Sequence, residues 1–169
     1  MALGTLNDVF VDQIEDLYSA ETQLVDALPR IATSAHDSRL RDAIRSHFEQ
    51  TRAHVERLSN IKADLGINAP QRCKGMAGLL AEGDETVGES GSGAAKDAAI
   101  IAAAQRVEHY EIAAHGTAGA LAGELAYEDA KDMLNATLDE ESAADQLLTK
   151  IATGGLFRAG INAEAKAAG

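Results

Sequence analysis

Cysteine, proline and aromatic residues are scarce in this sequence. Its 169 residues include one cysteine, two prolines, no tryptophan and only 4% aromatic residues. The single cysteine, Cys73, excludes an intramolecular disulfide and a thiolate metal site, and it suits a reducing compartment. The shortage of proline and aromatics, with Ala, Leu and Glu recurring at helical spacing, favours an all-α protein over a strand-rich one.

Long apolar runs and an excess of positive charge are also missing. The longest apolar run, residues 98–104, is too short to cross a bilayer. Acidic residues from Asp8 to Asp16 interrupt any apolar core of a signal peptide. The net charge of −12 argues against nucleic acid and anionic membranes as partners, because both attract Lys and Arg. We therefore expect a cytoplasmic protein, for which metal cations are the more natural ligands.

Helical periodicity and capping residues predict four long helices in one domain. The first begins near Thr5, and Pro29 is expected to kink or end it. The other three are predicted from Asp37 or Ser38 to Leu65, from Asp97 to Ala126, and from about Glu128 to Gly154.

A long connection separates the second and third predicted helices. Residues 67–96 form a crossover with one short helix from about Cys73 to Val87, and such a length can carry the chain between opposite ends of a bundle. The domain is expected to span residues 1–155. Residues 156–169 have weak apolar periodicity, so we expect a poorly ordered tail.

Each long helix has an apolar row whose centre is polar. In the third helix the row through Ile100, Val107, Ala118 and Leu125 is small or apolar except at Glu111. The other helices repeat the plan. The polar centres comprise Glu21 on the first helix; His47, Gln50, Thr51 and His54 on the second; Glu108, Glu111 and His115 on the third; and Glu141 and Asp145 on the fourth.

In a bundle of similar helices these polar centres lie at about the same height, which points to a metal site. Buried carboxylates without countercharge are unfavourable, and no Lys or Arg lies in these rows. Two divalent cations would supply roughly four positive charges, as in di-iron bundle proteins. Carboxylates with histidines suit iron first and manganese second. The predicted ligands are Glu21, His47, His54, Glu108, Glu111, Glu141 and Asp145.

Taken singly, each of these residues also has a structural explanation. A glutamate in a core row can reflect a misjudged register or a side chain that reaches solvent, as Glu108 or Glu141 could. His47 and His115 could be hydrogen-bonded core residues, and His115 is expected to support the ligands rather than join them. Glu140 is expected to be solvated helix surface. The coincidence of polar centres on four helices favours the metal site.

Segments of all four helices and of the crossover share a family pattern: DLYSAETQL, HFEQTRAHVERL, CKGMAGLLAEGDE, DAAIIAAAQRVEHYEIAAHGT and TLDEESAADQLL. With them the sequence resembles the YciE/YciF group of bacterial stress-associated ferritin-like proteins, from Thr5 to Ala152. The resemblance implies a ferritin-like four-helix bundle with a long crossover. It also implies a homodimer and a dinuclear metal site.

The sequence departs from the ferritin-like ligand plan on two helices. Glu21 and either Glu111 or Glu108 match the helices that supply a single glutamate. On the second helix Gln50 stands where members of the group often have Glu, and His54 follows four residues later instead of three. The fourth helix has two acids and no histidine. These departures leave open a one-metal or weak-affinity site.

Two functions are compatible with this sequence. The first is a carboxylate-bridged metal-binding protein of the stress response, di-iron or related, which would oxidise Fe(II) with oxygen or peroxide as a ferroxidase-type oxidoreductase. The alternative is a non-catalytic dimeric structural or interaction protein whose metal site is vestigial or absent. Iron storage would need a closed shell of many subunits, which one sequence does not show.

Overall fold

Helices form nearly all of the backbone in the computed structural model, which describes residues 3–91, 93–156 and 158–168. None of the helices in these ranges is long and apolar enough to cross a membrane. In chain order the elements are α1 (Leu6–Ser34), α2 (Ser38–Asp64), α3 (Lys74–Gly88), α4 (Gly93–Glu124), α5 (Glu128–Thr153), β1 (Gly154–Gly155), β2 (Arg158–Ala159) and α6 (Ile161–Ala167).

The four long helices pack as two hairpins. α1 packs mainly on α2, and α4 mainly on α5. Their links, residues 35–37 and 125–127, are so short that each pair runs antiparallel. The crossover between the hairpins contains α3, which packs on α1 and α4. The predicted all-α, ferritin-like four-helix bundle with a short helix in its long crossover is confirmed.

Capping explains where the first helices begin. The Thr5 hydroxyl accepts the Asp8 backbone N–H while the Asp8 carboxylate accepts the Thr5 N–H, a reciprocal capping box. Asp37 caps α2, because its side-chain carboxylate accepts the backbone N–H of Arg39. α1 does not end at Pro29 but continues to Ser34. The buried residues Leu28 and Ala32 hold this last part of the helix on the core, which offsets the hydrogen bond that proline cannot donate.

α4 begins at Gly93, four residues before its predicted start at Asp97. Asp97 thus lies inside α4, and its buried carboxylate serves another helix. It accepts the backbone N–H of His36 at 2.8 Å and of Asp37 at 2.6 Å, in the link before α2. Asp97 therefore ties the two hairpins together across the bundle.

Two apolar clusters make up the core, one toward each end of the bundle. The first includes Leu24, Ile44, Ile100 and Leu148 together with Met76 of α3. The second is formed by Phe10, Ile14, Leu17, Leu58, Ile61 and Leu134. Along each long helix the residues of the two clusters are separated by the polar centre found in the sequence. The apolar ends thus supply the stability of the fold, and a polar layer lies between them.

A partly buried hydrogen-bond network attaches α3 to the bundle. The Cys73 sulfur accepts the Met76 N–H at 3.3 Å and lies 2.9 Å from the Tyr110 hydroxyl, which donates to Asp16 at 2.5 Å. Burial raises the pKa of the Cys73 thiol. The only cysteine of the sequence therefore positions the crossover helix.

The tail after residue 155 forms a short helix in the structure, where its sequence led us to expect poor order. β1 and β2 form a two-stranded antiparallel pair that turns the chain back, with Gly154 at a φ of +76°. Ile161 at the start of α6 is fully buried, and the helix packs on α4. A single apolar anchor gives no periodicity to detect in a sequence. The domain boundary at residue 155 stays a prediction.

Replacing Asp97 by Ala should lower the free energy of unfolding by about 1–3 kcal/mol, because two backbone N–H groups lose their buried acceptor. Urea denaturation measures this loss. Asp132→Ala, at an exposed position on α5, is the matched control and should change stability by less than about 0.5 kcal/mol. Equal effects of the two variants would contradict the role given to Asp97.

Candidate metal centre

The polar layer contains a buried cluster of four glutamates and three histidines, which we call the carboxylate–histidine cluster. Each member is at most 6% exposed. Spacings of three, four and seven residues bring side chains of one helix to the same face. The members are Glu21 of α1; His47 and His54 of α2; Glu108, Glu111 and His115 of α4; and Glu141 of α5.

The cluster divides into two groups with the spacing of metal ligands. In each group, one nitrogen or carboxylate oxygen from every residue lies within 4.8 Å of the others. Glu141 contributes to both groups, so the two potential ion positions are adjacent. The first group comprises His47, Glu108, Glu111 and Glu141, and the second comprises Glu21, His54 and Glu141.

The short contacts of His47 and of His54 Nδ1 inside the cluster lack the geometry of hydrogen bonds. Nδ1 of His54 lies 2.9 Å from Oε1 of Glu141 and 3.5 Å from Oε1 of Glu21. Nε2 of His47 lies 3.4 Å from Oε1 of Glu108 and 3.6 Å from Oε2 of Glu141. These donor and acceptor atoms point into a common space instead of at each other.

Unpartnered polar atoms are concentrated in this cluster. Ten buried side-chain nitrogen or oxygen atoms in the described part of the chain have no hydrogen-bond partner, and all ten belong to its seven residues. Both oxygens of Glu111 and of Glu141 and both ring nitrogens of His47 are among them. Buried polar groups are nearly always satisfied in folded proteins, so this concentration calls for a ligand. A cation fits, because the free atoms are carboxylate oxygens and imidazole nitrogens.

The electrostatics of the cluster show an excess of negative charge. Burial, reinforced by neighbouring carboxylates, raises the pKa values of Glu108 and Glu111 well above their ordinary value. Burial acts the same way on Glu141, but contact with His54 and the charge of His47 outweigh it and lower its pKa to about 2. The pKa of His54 rises to about 10, because Glu141 and Glu21 outweigh the effect of its burial. Without a cation, protons occupy the positions that a metal would take.

Two residues outside the two ligand groups, His115 and Glu140, hold ligand side chains in place. Nε2 of His115 lies 2.9 Å from Oε1 of Glu21, which fixes that carboxylate in the supporting role expected for His115. Glu140 was expected to be solvated surface; its side chain is 33% exposed, but its carboxylate is engaged by other side chains. Its carboxylate lies 2.8 Å from Nε2 of His54 and accepts two hydrogen bonds from Arg57, which lowers its pKa. Arg57, one turn after His54, is the sequence signal that could have revealed this contact.

Asp145, predicted as a ligand, lies outside both groups. Its carboxylate accepts a hydrogen bond from Gln105 at 3.0 Å and lies 3.5 Å from His109. Asp145 lies one turn beyond Glu141 on α5, and its side chain faces partly toward solvent, with 20% of it exposed. The side chain of His109 is 69% exposed and points outward. The remaining predicted ligands all lie in the cluster.

Comparison with known proteins identifies relatives across nearly the whole chain. Residues 5–165 match the family described as "Domain of unknown function (DUF892)". The protein YciF of Escherichia coli K12 is 40% identical over 155 residues, which cover 90% of this chain and 93% of that protein.

Solved structures agree with this relationship. The crystal structure of the E. coli stress protein YciF superposes with a TM-score of 0.83 over 87% of this chain and 94% of its own. A protein of Rhodopseudomonas palustris, described as a candidate structural protein, is 39% identical and gives a TM-score of 0.85 over 89% and 96%. A third match, from Xanthomonas campestris, is 15% identical with a TM-score of 0.68 over 86% and 89%, and it shows the fold alone.

Glu111→Gln should stabilise the metal-free protein at pH 7, by on the order of 1 kcal/mol. The raised pKa of Glu111 means that the folded state must take up a proton or bear an unfavourable charge, and Gln removes that cost. Below the ordinary value of 4.5 the carboxyl is protonated in both states, so the gain should fade as the pH is lowered. Chelator-treated samples unfolded in urea at several pH values measure the difference.

Glu124→Gln is the matched control for this experiment, because Glu124 is exposed on the same helix. It should leave stability nearly unchanged at every pH. A loss of stability in Glu111→Gln at pH 7 would contradict the electrostatic account of the cluster.

Proposed function

The chain belongs to the DUF892 family, and on that premise we propose that it is a carboxylate–histidine metalloprotein with a di-iron or related dinuclear centre. The supporting observation is the set of ten unpartnered buried atoms, all within one cluster. The cluster offers metal ligands without the hydrogen bonds that a purely structural polar core would need. Its arrangement at the middle of the bundle also follows the general plan of di-iron bundle proteins.

We assign the ligands from the two groups of the cluster. His47, Glu108 and Glu111 would hold one ion, Glu21 and His54 the other, and Glu141 would bridge them. Asp145 is left outside this set, because its carboxylate is already engaged by Gln105 and lies near His109.

Charge balance supports two divalent ions. The four buried glutamates of the cluster carry up to four negative charges, and roughly four positive charges from two dications would compensate them. No Lys or Arg in the cluster compensates this negative charge, and Arg57 at its edge contacts Glu140 instead. A ligand set dominated by oxygen with a few imidazoles favours iron, with manganese as the second choice.

Fe(II) oxidation by oxygen or peroxide is the reaction we propose for this centre. Bound iron would supply one-electron redox chemistry, which no side chain of the cluster offers. The protein holds the ligands in fixed positions, through His115 on Glu21 and Glu140 on His54, and keeps bulk water out of the site. The E. coli relative is called a stress protein. By analogy we propose a role in the stress response. We also propose, from the sequence, a cytoplasmic homodimer.

The alternative function is that of a non-catalytic structural protein. Its support is the description of the R. palustris relative as a candidate structural protein. In that case the cluster would be a proton-sharing network, and metal ions would neither bind nor stabilise the fold. The two proposals therefore differ in a directly measurable way.

Addition of Mn(II), or of Fe(II) without oxygen, should raise the melting temperature of chelator-treated protein. Binding to the folded state alone stabilises it by about 2.7 kcal/mol when the free metal is at about 100 times Kd. Glu111→Ala and Glu141→Ala should weaken binding at least about 10-fold. His109→Ala, at an exposed position two residues from Glu111, should bind like the wild type. An unmoved melting temperature in the wild type would favour the structural alternative.

Fe(II) oxidation in air, followed by the absorbance of Fe(III), tests the proposed reaction. The wild type and the exposed control Glu124→Ala should both exceed the rate in buffer, whereas Glu111→Ala should fall to about that rate. If the wild type binds metal but does not accelerate oxidation, the ferroxidase reaction is wrong and the metal site stands.

A further inference from the structure

An apolar cavity of about 170 Å³ lies beside the carboxylate–histidine cluster. All five helices from α1 to α5 line it, and its walls include Leu24, Ile44, Leu80, Ile100 and Leu148. The cavity is partly open to solvent, since Leu147 among its lining residues is 44% exposed. An engineered apolar cavity of about 150 Å³ binds benzene, so the volume suits a small organic molecule.

The inner end of this cavity is polar and belongs to the cluster. His47 and Glu108 line it, and they are only 6% and 3% exposed. Both ring nitrogens of His47 and Oε2 of Glu108 lack hydrogen-bond partners. Ser46 and Gln50 are the only other polar side chains among the lining residues. The cavity therefore combines a long apolar wall with one polar end that has free donor and acceptor capacity.

The surroundings select against anionic ligands. An anion would approach the four buried glutamates of the cluster and be repelled. A charged group of either sign would also lose its hydration wherever it lies against the walls, which offer almost no polar atoms. A neutral molecule with one hydroxyl group avoids both costs.

We propose that this cavity binds an uncharged, mainly aliphatic molecule with a single hydroxyl-type head, oriented so that the head lies at His47 and Glu108. The hydrocarbon part would lie against the leucines and isoleucines of the walls, where burial of apolar surface supplies the affinity. The head would then face the first of the two proposed ion positions. That last point rests on the proposed function, whereas the cavity and its polar end do not.

Isothermal titration of the metal-free protein with 1-hexanol and hexanoate tests the pocket. We expect 1-hexanol to bind and hexanoate to bind at least about 10-fold more weakly. Ala104→Phe, which fills the cavity from α4, should abolish binding. Ala102→Phe, at an exposed position on the same helix, should leave it unchanged. If circular dichroism shows that Ala104→Phe is unfolded, Ala144→Phe fills the same cavity from α5.

Several results would overturn the proposal. These are no binding of 1-hexanol, equal binding of hexanoate, or binding that survives the filled cavity. The alternative occupant of the cavity is a second copy of the chain that packs over Leu147. This residue lines the cavity and is 44% exposed. A dimer that Leu147→Asp dissociates, in a protein that does not bind 1-hexanol, would assign the cavity to that interface and overturn the proposal.

The Co(II)-loaded protein separates this proposal from the proposed function. Binding of 1-hexanol should alter the visible absorption of Co(II), because the head lies at two of its ligands. If Co(II) binds and 1-hexanol leaves its spectrum unchanged, the placement of the head is overturned and the metal site stands. If no Co(II) binds while 1-hexanol still titrates as expected, the proposed function fails and the pocket is supported.

Discussion

Four buried glutamates at the same height in one helical bundle are the constraint on which this structure depends. They cannot all be ionised in a dry core unless positive charge lies among them. Three histidines supply part of that charge at most, and Arg57 donates its hydrogen bonds to Glu140 and Thr137 at the edge of the cluster. In the metal-free protein the pKa values of Glu108 and Glu111 therefore lie well above their ordinary value. Divalent cations relieve the same constraint with the ligands already in place.

The rest of the fold makes this unfavourable centre tolerable. Apolar clusters toward both ends of the bundle supply the stability, so the polar layer between them can remain poorly satisfied. Asp97 joins the link before α2 to α4, while the contacts of Cys73 and Tyr110 fasten the crossover helix. Contacts of His115 and Glu140 fix the orientation of Glu21 and His54. Such support restricts how far the cluster can rearrange to neutralise itself.

Much of this arrangement could be predicted from the sequence, because it is encoded in helical periodicity. A single glutamate interrupts the apolar row at Glu21 and again at Glu111, and both side chains are fully buried in the cluster. Helical periodicity predicts less well which residues beside the apolar rows belong to the cluster. Asp145 lies one turn from Glu141, yet it faces Gln105, since position on a helix face does not determine distance from the bundle axis. The contact of Glu140 with His54 depends on packing between helices, and so does the short helix α6. The apolar row of a single helix does not show such packing.

Anomalous diffraction from crystals of the metal-reconstituted protein tests the central claim most directly. Data collected on both sides of the iron absorption edge locate iron without reference to any assumed ligand. Our account predicts two adjacent peaks, one among His47, Glu108, Glu111 and Glu141 and the other among Glu21, His54 and Glu141. Clear density for these side chains with no anomalous peak between them, in crystals grown with excess Fe(II), would contradict it.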